Sequence, residues 1–394
     1  MNRNGGKPHI YLDHSATTPV APEVLAAMQP FFSETFGNPA SIHAFGRAAA
    51  GALDEAHLVV GCAINARASE VVFTGCGSEA DNMALRGIAL AQRKNGRGGH
   101  LVIARAEHHA VETTAEQLRD LFGFDVQFIP VDGCGQVNPD DIAAAIRKDT
   151  ALVSVMLANN EVGSLNEVSA IGKICKECGV PLHTDAVQAP AYLPLDVNEL
   201  NCDALSMSSH KIYGPKGVGV LYLREGTPFV PTLTGGGHER GRRAGTVNVA
   251  GAVGTAAAIK YVSREREAQA VRLVALRDGL TAGVQASVPQ AMLSGHPRQR
   301  LPHHASFVFK NVDGESLLMA LDVEGIAVST GSACTSGDPE PSSVLVAMGV
   351  PREWALGGLR VTLGYGTTQA DVDAFLAVLP KCVERVRKAA EWKG

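Results

Sequence analysis

The sequence predicts an α/β protein with two parts: a large domain over residues 15–261 built on a seven-stranded, mainly parallel sheet, and a smaller α+β domain formed by residues 1–14 and 262–394. Three observations lead there. Between residues 70 and 225, short apolar runs rich in β-branched residues alternate with helical patterns. Most of those runs are apolar nearly throughout, which suits strands covered on both faces. After residue 262 the texture changes to a long charged helix followed by shorter units.

In chain order the candidate strands are 71–74, 100–104, 126–131, 151–157, 181–184, 204–208 and 217–223. Helical patterns lie between them, for example over 78–94 and 168–178. Ser78 with Asp81 three residues later reads as a helix start. In the smaller domain a charged helix over 262–285 precedes a strand at 305–309, a helix from Gly314, and strands at 327–330 and 359–363. A final helix begins near Thr368, and Pro380 is expected to kink or end part of it. The strand-like piece 10–12 suits either domain.

A chain of 394 residues with 45% hydrophobic and 19% charged residues can bury a substantial core. A net charge of −5, with Lys and Arg dispersed, argues against a nucleic-acid binder, which needs excess cations for phosphate. Residues 1–9 do not resemble a secretory signal, and the longest apolar-leaning run, 247–259, is too short to span a bilayer. A cytoplasmic protein is the expectation, with no membrane partner. The eight cysteines stand at irregular spacings, which does not suggest a disulfide framework.

In parallel sheets, ligands collect beyond the carboxyl ends of the strands. Polar, reactive residues follow five of the runs. Ser208 and His210 stand beside Lys211 just after the run 204–208. A lysine there is poorly placed for solvation, and its amine suits Schiff-base chemistry; a surface loop lysine is the plainer reading. Asp185, with Gln188, follows the run 181–184. A carboxylate there keeps the ring nitrogen of pyridoxal phosphate protonated, or simply caps a helix. Gly77 and Ser78 follow the run 71–74 and form an anion cradle from backbone N–H groups, or an ordinary helix cap. His108 in Glu107-His108-His109 suits stacking on a ring and proton transfer, as well as a structural role. Cys334 sits among Ser, Thr, Gly, Asp and Pro, which predicts an exposed, mobile loop and favours a nucleophile over an inert core thiol. Cys175 and Cys178 lie in a helical pattern with no second pair, so neither zinc nor redox chemistry is expected. Arg360, inside an apolar strand, must meet an anion: a substrate carboxylate, or an internal salt bridge.

These segments, in this order, resemble the cysteine desulfurase family of the class V aminotransferases, its NifS/IscS-like branch in particular. The resemblance covers residues 11–19, 36–41, 159–161, 183–188, 208–215, 235–246 and 331–336. The long Gly-Ser-Ala-Cys-Thr-Ser loop resembles the first group of the family. The resemblance implies fold type I, the aspartate aminotransferase architecture, in a homodimer with shared active sites and pyridoxal 5′-phosphate as cofactor. It assigns Lys211 as the Schiff-base lysine, Asp185 to the pyridine nitrogen, Gln188 to the ring oxygen and His108 to the ring face. It gives the phosphate to Gly77, Ser78, Ser208 and His210, with Thr246 joining from the partner subunit. Asn38, Asn160 and Arg360 would take the substrate carboxylate. L-cysteine would become L-alanine, its sulfur held as a persulfide on Cys334 and passed to an acceptor protein for iron–sulfur cluster assembly. Departures are few: Gly75-Cys76 before the phosphate turn, Ser78 where Thr is common, and Ala355-Leu-Gly-Gly before Arg360. Another pyridoxal-phosphate lyase or aminotransferase is the alternative within enzymes. A sulfur-relay scaffold without catalysis is the alternative outside them.

Overall fold

The computed structural model describes residues 9–330 and 340–391, so Cys334 lies outside the described residues. The strands are β1 Ile10–Tyr11, β2 Val71–Thr74, β3 His100–Ala104, β4 Asp125–Ile129, β5 Thr150–Ser154, β6 Leu182–Asp185, β7 Ala204–Ser208, β8 Gly219–Leu223, β9 Ala291–Leu293, β10 His304–Phe309, β11 Ile326–Ala327 and β12 Gly358–Thr362. Seven of them form the large sheet in the order β2-β8-β7-β6-β5-β3-β4. Only β8 runs against its neighbours; the other pairings are parallel.

The continuous apolar runs make sense because both faces of this sheet are covered. Along β3, Leu101 and Ile103 enter one core while Val102 and Ala104 enter the other. The same alternation holds in β8, where Leu221 and Leu223 face one way and Val220 and Tyr222 the other. Helix Gly77–Lys94 covers one face with Ala80, Met83, Ala84 and Ile88; helix Val168–Cys178 covers the other with Ile171 and Cys175. The edge strand β4 has one uncovered face, and Asp125 and Gln127 alternate with more buried neighbours there.

The smaller part carries an antiparallel sheet, β12-β10-β9, and a parallel pair, β1 with β11. Three sequence expectations need correction. The charged helix begins at Val249, not 262, and runs unbroken to Ser287, so the anticipated domain boundary falls inside one helix. The final helix, Gln369–Glu391, continues through Pro380. Its buried face, Val372, Phe375, Leu379, Cys382 and Val383, lies on both sides of the proline. That burial outweighs the missing hydrogen bond, a loss of about 3 kcal/mol. The cap of helix Gly77–Lys94 is Cys76 rather than Ser78: its sulfur accepts the Glu79 N–H at 3.3 Å, and the helix starts at Gly77. Among the described residues, no helix is long and apolar enough to cross a membrane.

Candidate active site

The carboxyl ends of β2, β3, β5, β6 and β7 open onto one cavity of about 320 Å³. It is lined by Gly77, Ser78, His108, Asn160, Asp185, Gln188, Ser208, His210, Lys211 and Arg360, all singled out in the sequence. Asn38 and Thr246 are exposed and do not line it.

Lys211 ends a short helical turn, Ser209–Lys211, directly after β7. Its Nζ donates to the backbone carbonyl oxygens of Ser15 and, at 2.7 Å, Ala16. Burial lowers its pKa to about 8, Arg360 pushes the same way, and Asp13 and Asp185 oppose. At neutral pH this amine is therefore partly unprotonated, unlike a solvated lysine.

Asp185 closes β6 and is 5% exposed. Its Oδ1 accepts the Val187 N–H at 2.8 Å, a local turn and not the helix cap considered from sequence. Burial raises its pKa, while His108, the Val187 N–H and Lys211 oppose that rise. Two further carboxyls lie close behind, Asp81 and Glu107, both buried and pushed well above the usual carboxylate range by desolvation and then by Asp185. Asp81 Oδ1 and Glu107 Oε2 have no hydrogen-bond partner among the described residues. Of the three, Asp185 is the one whose charged form His108 and Lys211 favour, so it is the group fitted to carry the negative charge. His183 ties the strands together beneath them, with Nδ1 2.9 Å from Ser154 Oγ and Nε2 3.0 Å from Ser206 Oγ. Burial drops its pKa to about 3, so it stays neutral.

His108 is both cavity wall and N-cap of helix His109–Phe122. Its Nδ1 accepts the Ala110 N–H at 3.0 Å, which places the ring proton of the neutral form on Nε2. Burial lowers its pKa, partly offset by Asp185. His210 is pushed down to about 4 by burial, and its Nδ1 lies 3.1 Å from Thr17 Oγ1. Gln188 Nε2 donates to the Ser15 carbonyl at 3.0 Å.

Gly77 shows why a glycine opens the cradle helix. A Cβ there would sit 3.1 Å from both Ser208 Cβ and Val187 Cγ2. Arg360, buried on β12, makes the internal salt bridge that was one of its two sequence readings. It pairs with Asp13 at 2.9 Å and donates to the Asn160 carbonyl at 3.0 Å, yet it lines the cavity, and its Nε has no partner among the described residues. Its backbone exchanges hydrogen bonds with Ser329, one residue before Thr330.

Sequence reasoning did not assign Asp13, Ser15, Ala16, Asp81, Met156 or Val187, although all but Asp13 line the cavity. The signal for the first three was the segment 11–19, which carried resemblance but no role.

Residues 10–375 match the family described as aminotransferase class-V. The chain is 46% identical over 387 residues to the cysteine desulfurase IscS of Dictyoglomus turgidum, covering 98% of each chain. It is also 46% identical over 378 residues to the cysteine desulfurase IscS of Methanosarcina thermophila, covering 96% of this chain and 93% of that one. A solved NifS-like protein superposes with a TM-score of 0.90 at 36% identity, covering 96% of this chain and all of that one. SspA in complex with cysteine superposes with a TM-score of 0.80 at 32% identity, covering 90% and 98%.

Proposed function

This chain belongs to the class-V aminotransferase family, among its cysteine desulfurases, and from that premise we propose that it takes sulfur from L-cysteine, releases L-alanine and holds the sulfur as a persulfide on Cys334. One observation carries the reading. Lys211 offers a half-buried amine with its pKa lowered to about 8, facing the same cavity as a buried carboxyl, Asp185, and the Gly77-Ser78 cradle.

The residues fit pyridoxal 5′-phosphate. The cradle needs glycine at 77 for its close approach, and His108 and Lys211 favour the charged form of Asp185. Lys211 would hold the aldehyde, Asp185 the ring nitrogen, Gln188 the ring oxygen and His108 the ring face. Gly77, Ser78, Ser208 and His210 would hold the phosphate. When bound, the cofactor supplies an electron sink for charge developing at the substrate Cα.

The protein residues do the rest. Arg360 grips the substrate carboxylate, exchanging or sharing its Asp13 partner, with Asn160 beside it. Lys211 Nζ would take the substrate Cα proton and return it. His108 presents Nε2–H to the cavity. The Cys334 thiolate attacks the substrate sulfur: an S–S bond forms, the substrate Cβ–S bond breaks with its electron pair left on carbon, and Cβ gains a proton while Cα recovers the one it lost, giving alanine. Cys334 is four residues from Thr330, a reach of at most about 14 Å, and the chain enters that stretch from the residue paired with Arg360.

The exposed positions of Asn38 and Thr246 favour a homodimer in which Thr246 joins the phosphate grip of the partner subunit. Phe32, Phe36, Ile42 and Phe45 are 65%, 63%, 91% and 58% exposed near Asn38, an apolar surface that a second copy would cover. We read the sulfur acceptor as a protein of iron–sulfur cluster assembly and the enzyme as cytoplasmic. Incubating purified protein with pyridoxal phosphate, L-cysteine and a reductant should give alanine and sulfide in equal amounts. A keto acid in place of alanine, or no turnover, would reject the reading.

A further inference from the structure

Behind the phosphate cradle stands an ion pair that does not line the cavity. Glu79, in the first turn of helix Gly77–Lys94, meets Arg243 through a two-pronged contact: Nε to Oε1 at 2.8 Å and a terminal nitrogen to Oε2 at 3.3 Å. The same Oε2 accepts the Gly75 N–H at 2.7 Å. In an ordinary capping box the third-position Glu returns to the cap residue's own N–H; here it reaches one residue further back and fixes the approach to the cradle. A Cβ at Gly75 would lie 2.7 Å from Glu79 Oε2, so the glycine is what admits this contact. Arg243 belongs to the segment 235–246, which is also anchored by Arg242 on the Ser69 carbonyl and by Glu239 on the Phe73 N–H and His57.

An electrostatic difficulty follows from this placement. A carboxylate one layer behind a backbone cradle repels the dianionic phosphate that the cradle is shaped to receive. The fork of Arg243 removes that repulsion while leaving the carboxylate free to hold Gly75.

We infer that Glu79 and Arg243 are positioning residues for the cofactor phosphate: Glu79 sets the cradle backbone, and Arg243 cancels the charge that doing so brings. The inference rests on the pyridoxal-phosphate reading above and deepens it. Both residues come from the same chain as the cradle, so it holds whatever the assembly.

The test is binding, not turnover. Cofactor-stripped protein is titrated with pyridoxal 5′-phosphate and, separately, with pyridoxal, which lacks the phosphate, following the absorbance of the bound ligand. Arg243→Met should weaken pyridoxal phosphate on the order of tenfold, less at high salt, while pyridoxal changes by about twofold or less. Adding Glu79→Gln to Arg243→Met should restore the affinity to within about threefold of wild type, because the uncancelled charge is gone. Arg243→Lys, which keeps the charge, should stay within about threefold as well. Equal losses for both ligands, or a double variant no better than Arg243→Met, would overturn the inference while leaving the cofactor reading intact. A wild-type protein that binds neither ligand would overturn both.

Discussion

Replacing Lys211 by Met in the cofactor-free protein isolates the property on which its chemistry depends. The folded amine has a pKa of about 8 against an ordinary value of 10.5. A base depressed in the folded state binds fewer protons there than in the unfolded chain, so it destabilises at low pH and its penalty fades as pH rises between the two values. At 1.36 kcal/mol per unit, the half-buried ammonium costs about 3 kcal/mol at pH 7 and less than about 1 kcal/mol at pH 10, a change of about 2.5 kcal/mol. Methionine is close in volume and does not titrate. It also gives up the hydrogen bonds to the Ser15 and Ala16 carbonyls, a loss of about 1 kcal/mol each that the neutral amine shares across the pH range. The absolute stability of the variant therefore depends on that offset, but its pH slope does not. Urea unfolding followed by circular dichroism at a series of pH values should show wild type gaining about 2.5 kcal/mol on Lys211→Met from pH 7 to pH 10. Titrating groups beyond the influence of the Lys211 charge are common to both proteins and cancel; Asp185, His108 and His210 feel that charge and add a smaller difference of their own. Parallel stability curves would refute the claim that burial holds this amine near neutrality.

Three further outcomes follow. Gly77→Ala places a Cβ 3.1 Å from Ser208 and Val187. Overpacking of about 1–3 kcal/mol should weaken pyridoxal phosphate roughly ten- to a hundredfold in an absorbance titration. Arg360→Gln should retain the cofactor absorbance yet raise KM for L-cysteine by a similar factor, since a charged hydrogen bond is worth about 1.5–3 kcal/mol; an unchanged KM would assign Arg360 to Asp13 alone. Cys334→Ala should bind cofactor normally and release no sulfur, and retained turnover would reject it as the nucleophile.

The large sheet was legible because its strands are buried on both faces. The runs 71–74, 100–104 and 204–208 are found with the same bounds, and only the ends of the others move. The start of helix Val249–Ser287 was obscured by Ala- and Gly-rich sequence that carries no amphipathic period. At Pro380, local propensity pointed one way and burial of Phe375 and Leu379 decided the other. Within the site, Lys211 and Asp185 could be read because each follows a strand whose end must face the ligand crevice. Their partners could not. The carbonyl of Ser15 meets Lys211 across 196 positions and Asp13 meets Arg360 across 347, distances over which spacing carries no information. Asn38 and Thr246 follow the same logic, since their expected role depends on a second chain.

A single-turnover experiment bears most directly on the central proposal. Cofactor-loaded protein receives one equivalent of L-cysteine without reductant, is quenched, and is then analysed for amino-acid product and by mass spectrometry of its peptides. One alanine per site together with one added sulfur on the peptide bearing Cys334 is the expected result. Alanine formed while that peptide stays unmodified would contradict it.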